Sequence, residues 1–318
     1  MNLPALPTWS ADREGGRFSA SILLGALQEL CYNPLKCSHL AEGESMPDYQ
    51  ITQEVHNGIE RISYIPDQPR HATPLLFQHG MWHGAWCWEH WQALFARWGW
   101  TSHAISLPGH AGSPVQRPIR WCTLTYYLRF LAAEIARLPT PPVLFGHSMG
   151  GALTQWYLKQ HGDLPAAVLV APWPSHTLLG SFWRVLKLDP LGSLLNQLTL
   201  SATPSIRTPK RAAALLITEG AIYTPEELHA RLGPESGIIL YHYNRPWWSP
   251  PTTTNTPLLW LAGADDAVIG EPDERRSAAH YGAEYVVVPR AGHNLMMEHN
   301  YQETAQTIHS WLEQVAVA

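Results

Sequence analysis

From about residue 49 onward, apolar positions fall into short blocks whose period switches back and forth between two and roughly three and a half. Tyr49 to His56 and Ile59 to Ile65 read as strands joined at Asn57-Gly58, a dipeptide that favours the left-handed angles of a tight hairpin. Short apolar runs at Leu75–Gln78, Thr101–Leu107, Val143–Phe145, Ala166–Val170, Leu258–Ala262 and Tyr285–Val288 predict buried strands. Stretches with helical spacing lie between them: Trp88–Trp98, Leu124–Leu138, Gly151–Gln160, Asp273–Tyr281 and Tyr301–Val315. Alternation of this kind predicts an α/β fold, doubly wound around a mainly parallel sheet, with an antiparallel start. One interval breaks it. Between Val170 and Leu258 no strand is evident, while Leu178–Leu188, Leu191–Leu198, Lys210–Thr218 and Pro225–Leu232 look helical and prolines punctuate them. A structureless loop of that length is improbable in a compact domain, so an inserted helical cap over 172–255 is expected. The core domain then comprises 49–171 and 256–318, and residues 1–48 form an extension of unassigned role, with a possible amphipathic helix at Ser19–Leu30.

Composition narrows the function classes. The chain has 318 residues, 45% of them hydrophobic, enough for a sizeable core. A formal net charge of −5 and the lack of any Lys/Arg block argue against a nucleic-acid partner. No apolar run is long enough to span a membrane. The N-terminus lacks signal-peptide features, which makes the cytoplasm the expected location. Cys31, Cys37, Cys87 and Cys122 form no CxxC pair and no zinc-ligand spacing. Reduced thiols, no metal and no organic cofactor are expected.

The candidate chemistry centres on Gly146-His147-Ser148-Met149-Gly150, which follows an apolar strand and precedes a helix. A serine in that context sits on a sharp turn at a helix N-terminus, where free N–H groups can stabilise an oxyanion. A serine hydroxyl needs an adjacent base, and the base needs an orienting group. Asp265-Asp266 follows one downstream strand, and Ala291-Gly292-His293 follows the next. The order Ser, Asp, His matches this sheet type.

With His79-Gly80 after the third strand, these motifs resemble those of the α/β-hydrolase superfamily, from about residue 49 to the C-terminus. The resemblance implies a nucleophile at Ser148, a base at His293 and an orienting acid at Asp266, with Asp265 as the alternative in the doublet. It implies oxyanion donors at the backbone N–H groups of Met149 and Met81, with Trp82 as the alternative to Met81. The stretch Met81 to Trp88 is similar to the His-Gly-Ala-Trp-x-Trp segment of the esterase and hydroxynitrile lyase branch. Trp82, Trp173, Trp183 and Trp247 are candidate substrate contacts, against a purely packing role. His79, His83, His110 and His147 are read as structural.

The expected activity is hydrolysis of a small-molecule carboxylic ester with apolar or aromatic groups. Lactone, thioester or acyl-transfer chemistry on the same residues remains open, as does a non-catalytic ligand receptor on the same fold. Lyase chemistry is disfavoured because Asn294, rather than the lysine of those lyases, follows His293. Epoxide and haloalkane chemistry are disfavoured because such enzymes carry an aspartate where Ser148 stands.

Overall fold

Asn57 and Gly58 both take positive φ, 50° and 73°, the pair of left-handed angles that closes a two-residue hairpin. They join β1 (Tyr49–His56) to β2 (Ile59–Pro66) in a register that places His56 opposite Ile59. The computed structural model describes residues 48–242 and 254–315. The expected helix at Ser19–Leu30 therefore lies outside the described residues.

Six further strands follow: β3 (Leu75–Gln78), β4 (Ser102–Ser106), β5 (Val143–His147), β6 (Ala167–Val170), β7 (Leu258–Gly263) and β8 (Glu284–Val288). All eight join one sheet in the order β1-β2-β4-β3-β5-β6-β7-β8. The β1/β2 and β2/β4 pairings are antiparallel and the remaining five are parallel. β3, β5, β6 and β7 are buried along their whole length, as strands covered on both faces must be. Helices α1 (Glu89–Arg97), α2 (Leu124–Ala136) and α3 (Met149–His161) form the crossovers up to β6. Phe77, Phe95 and Phe145 pack ring against ring, with Phe77 and Phe145 centroids 4.3 Å apart beneath the end of β5.

Chain order reverses between β3 and β5: β4 lies on one side of β3 and β5 on the other. Such a switch leaves a crevice at the C-terminal ends of the strands. The segments leaving β3, β5, β7 and β8 all open there.

Between β6 and β7 the chain forms α4 (Leu179–Leu188), α5 (Pro190–Thr199), a short 3-10 turn at Thr203–Ile206, α6 (Pro209–Leu216), α7 (Pro225–Arg231) and α8 (Ile238–His242). Among the described residues of this interval, four of the five α-helices stand where helical spacing predicts them; α8 is too short to show a period. The segment is tied to the strand-bearing part through buried polar groups. Glu235 accepts hydrogen bonds from Tyr127 Oη at 2.9 Å and from the Ser236 N–H at 2.7 Å, and pairs with His110 Nε2 at 3.0 Å. Arg231 forks onto Glu89 at 2.6 and 3.2 Å while its guanidinium stacks on Trp86, 4.4 Å from the ring centre. Beyond β7, α9 (Glu271–Tyr281) and α10 (Tyr301–Val315) complete the helical layers. Among the described residues no helix is long and apolar enough to cross a membrane.

Candidate active site

Ser148 leaves β5 with φ 51° and ψ −115°, angles that an L-residue adopts only when its neighbours force it. Backbone packing supplies the force. Gly146 lies directly against Thr154 Oγ1 and the Gly150 carbonyl, and Gly150 against the Gln78 carbonyl of β3. A Cβ at either glycine would collide with main-chain atoms, so strand and helix can approach only without one. Gly150→Ala is expected to destabilise the fold by about 1–3 kcal/mol, the usual range for an overpacked site. A lowered denaturant midpoint at unchanged slope checks this. The turn also sets the Met149 N–H in the first turn of α3, where helical amides have no intrahelical acceptor.

His293, in the loop after β8, comes to this serine. Its Nε2 is 2.8 Å from Ser148 Oγ and its Nδ1 is 2.7 Å from Asp266 Oδ2. A carboxylate oxygen accepts, so Nδ1 carries the proton and Nε2 is left to receive the hydroxyl's. Asp266 is fixed in turn. Its Oδ1 accepts from the Val268 and Ile269 N–H groups at 2.7 and 2.9 Å. Asp265 is exposed and does not contact the histidine; its N–H donates to the Ala291 carbonyl at 2.9 Å. All three side chains of the Ser148–His293–Asp266 chain are buried.

The loop carrying His293 is braced from below. Glu298 Oε1 accepts from the Gly292 and Thr218 N–H groups, each at 3.0 Å. Burial raises the Glu298 carboxyl above its ordinary range despite these donors. His147 donates from Nε2 to the His293 carbonyl at 3.1 Å. Burial, with His293 and His83 nearby, holds His147 well below the usual imidazole range, so it stays neutral.

Gly80 lets the loop after β3 pass the serine: a Cβ there would stand 2.7 Å from His147 Nδ1 and 2.9 Å from Ser148 Cβ. His79 fixes this loop, with Nδ1 2.6 Å from the Gly80 carbonyl and Nε2 accepting from the Leu107 N–H at 3.0 Å. Trp82 takes a positive φ of 65°. Its carbonyl accepts from the Gly233 N–H at 2.8 Å, a tie to the segment between β6 and β7. His83 donates from Nδ1 to the Met81 carbonyl at 2.6 Å and accepts from Asn294 Nδ2 at 3.0 Å. Burial lowers it to about 4. His83 thus spends both ring nitrogens on the loop and on Asn294, whose Oδ1 is buried without a hydrogen-bond partner.

A cavity of about 110 Å³ opens onto Ser148 and His293. Met81, Trp82 and Trp173 line it from the strand ends. The Trp173 N–H also donates to the Ser148 carbonyl at 3.1 Å. Trp183 is not brought there: it is exposed on the outside of α4, because the helix turns its neighbours inward instead. Trp247 lies outside the described residues. Sequence reasoning missed Leu178 at the N-cap of α4, the α4 residues Ser181, Phe182 and Val185, the α5 residues Ser193, Asn196 and Gln197, and Val268. The spacing 178, 181, 182, 185 was a visible signal of one helical face, but not of which face looks at the serine.

The sequence profile of the alpha/beta hydrolase family matches residues 75–307. The chain belongs to the alpha/beta hydrolase family. Among curated relatives, a pyrethroid hydrolase of Sphingobium wenxiniae is 30% identical over 107 residues, 32% of this chain and 38% of the relative. The match therefore spans well under half of that protein. Solved structures extend the likeness in fold. A thermophilic esterase from Thermogutta terrifontis superposes with a TM-score of 0.62 at 18% identity, over 84% of this chain and 99% of that one. Epoxide hydrolase A from Mycobacterium thermoresistibile gives 0.63 at 19% identity, over 85% and 100%. At such identities the alpha/beta hydrolase fold is what is shared.

Proposed function

We propose that this alpha/beta hydrolase cleaves carboxylic esters bearing apolar or aromatic groups, through an acyl-enzyme on Ser148. The observation that carries the reading is the continuous hydrogen-bond chain from Ser148 Oγ through His293 to Asp266, at 2.8 and 2.7 Å. Ser148 Oγ attacks the ester carbonyl as His293 Nε2 takes its proton. Asp266, held by two backbone N–H groups, keeps the imidazole in the receptive tautomer and stabilises the imidazolium. The Met149 and Met81 N–H groups receive the tetrahedral oxyanion. His293 then protonates the departing alkoxide, the alcohol leaves, and a water activated by the same nitrogen frees the acid and restores the hydroxyl.

Residues 172–255 act in this reading as a cap over a core of 49–171 and 256–318, closing the acyl site with Phe182, Leu178 and Val185. A serine oxygen at the elbow favours ester over epoxide substrates, for which a carboxylate nucleophile would be expected. Asn294 follows His293 where the cyanohydrin lyases carry a lysine, and a neutral amide supplies no positive charge for a departing cyanide. Lactone, thioester and acyl-transfer substrates share the same first step and are sorted by assay.

A series of p-nitrophenyl esters of increasing chain length tests the substrate class, with a lactone and an epoxide as controls. Each methylene that enters the cavity contributes about 0.8 kcal/mol, so kcat/KM should rise roughly fourfold per carbon until the cavity fills, then fall. Turnover of the lactone or epoxide with none of the esters would overturn the assignment.

A further inference from the structure

Helix α5 is amphipathic the wrong way round. Ser193, Asn196 and Gln197 face the reaction cavity, while Leu191, Leu194 and Leu198 point to solvent. Leu194 is 55% exposed and Leu198 72%. The outward positions, with half-buried Leu195 between them, run 191, 194, 195, 198: the spacing of an apolar helix face that ordinarily packs on a core. Helix α4 repeats the pattern at 179, 182, 183 and 186, where Leu179, Phe182 and Trp183 are exposed. Two successive helices thus turn their apolar stripes outward on one segment. Single exposed leucines are ordinary, but a contiguous face of this kind marks a docking surface.

Three features identify what docks. Phe182 belongs to both the outer stripe and the cavity wall, so the face is continuous with the way into the cavity. The stripes are accompanied by two exposed cations, Arg184 and Lys187. The one carboxylate across both helices, Asp189, is buried and already paired with Arg207. Two helices with an outward apolar face, a cationic rim and no exposed carboxylate of their own complement a layer of acyl chains beneath anionic headgroups. We infer that α4 and α5 seat this protein on an anionic lipid surface, so that apolar substrate enters the cavity from the lipid side. The inference goes beyond the hydrolytic reading, and its test needs no turnover.

The full chain is mixed with vesicles of phosphatidylcholine and phosphatidylglycerol in equal parts and sedimented. Binding is expected, with an apparent Kd roughly tenfold weaker or worse in Leu194→Glu/Leu198→Glu, which moves two stripe residues that do not line the cavity. Arg184→Ala/Lys187→Ala should weaken binding to these vesicles by about tenfold while leaving any binding to pure phosphatidylcholine unchanged. Hydrolysis of dissolved p-nitrophenyl acetate by the leucine variant should match wild type, and Ser148→Ala should sediment like wild type. No vesicle binding by the wild type, or binding as tight as wild type by either double variant, overturns the proposal. So does a dimer in sedimentation velocity that Leu194→Glu/Leu198→Glu splits, since the occupant would then be a second copy of this chain.

Discussion

Ser148→Ala is expected to lower kcat for ester hydrolysis by about 10⁴- to 10⁶-fold, the loss seen when a serine nucleophile is removed from such a relay. The serine is the one atom of the proposed site that bonds to substrate carbon, so no neighbour can take over its step. Its removal leaves the scaffold intact. The elbow's geometry comes from the absence of Cβ atoms at Gly146 and Gly150 and from the backbone contacts of β3 and α3, none of which involves Oγ. Alanine keeps the same Cβ. The variant should therefore fold, show an unchanged denaturant midpoint and bind substrate or product analogues as the wild type does. Kinetics on p-nitrophenyl butyrate read together with a binding isotherm check the separation. A kcat within tenfold of wild type would remove Ser148 from the chemistry.

Asp266→Asn is the second large effect, about 10⁴-fold in kcat, and its cause is a proton in the wrong place. Asp266 Oδ1 is held by the Val268 and Ile269 N–H groups at 2.7 and 2.9 Å. In the variant the carboxamide oxygen takes that position, because two donors demand an acceptor. The carboxamide NH₂ must then face His293 Nδ1, where a carboxylate oxygen stood at 2.7 Å. A donor there forces Nδ1 to accept, which puts the imidazole proton on Nε2 and leaves Ser148 without a base. The expected readout is a collapse of kcat with KM little changed. Asp265→Asn, at the exposed neighbour, should leave both within about twofold, as surface changes generally do. Equal losses at the two positions would contradict the geometry.

The strands and the site were legible in the sequence for different reasons. Buried parallel strands such as Leu75–Gln78 and Leu258–Gly263 announce themselves by continuous apolar runs, and Asn57-Gly58 by its turn chemistry. Ser148, His293 and the Asp265-Asp266 doublet each lie in the segment that follows a strand, so their meeting follows from sheet topology once the strand order is known. The doublet was not separable by pattern. Two adjacent aspartates differ only in which way the turn after β7 points them, and the structure turns Asp266 inward and Asp265 out. Glu298 was invisible as a brace because its partners, Gly292 and Thr218, lie on separate segments. The tryptophans show the opposite limit. Bulk and aromaticity suggested that Trp82, Trp173 and Trp183 line the site, yet Trp183 faces solvent while Phe182 beside it faces both ways. Helical spacing gives the stripe and not its direction, and in α5 the usual assumption of apolar-inward is reversed.

Intact-protein mass spectrometry after treatment with a fluorophosphonate probe, followed by peptide mapping, reads the reactive atom directly. One adduct per chain is expected, on the peptide carrying Gly146 to Gly150 and on Ser148 within it, absent from Ser148→Ala and much slower in Asp266→Asn. An adduct on another residue, or ester turnover by a protein that takes up no label at Ser148, would contradict a serine activated by His293.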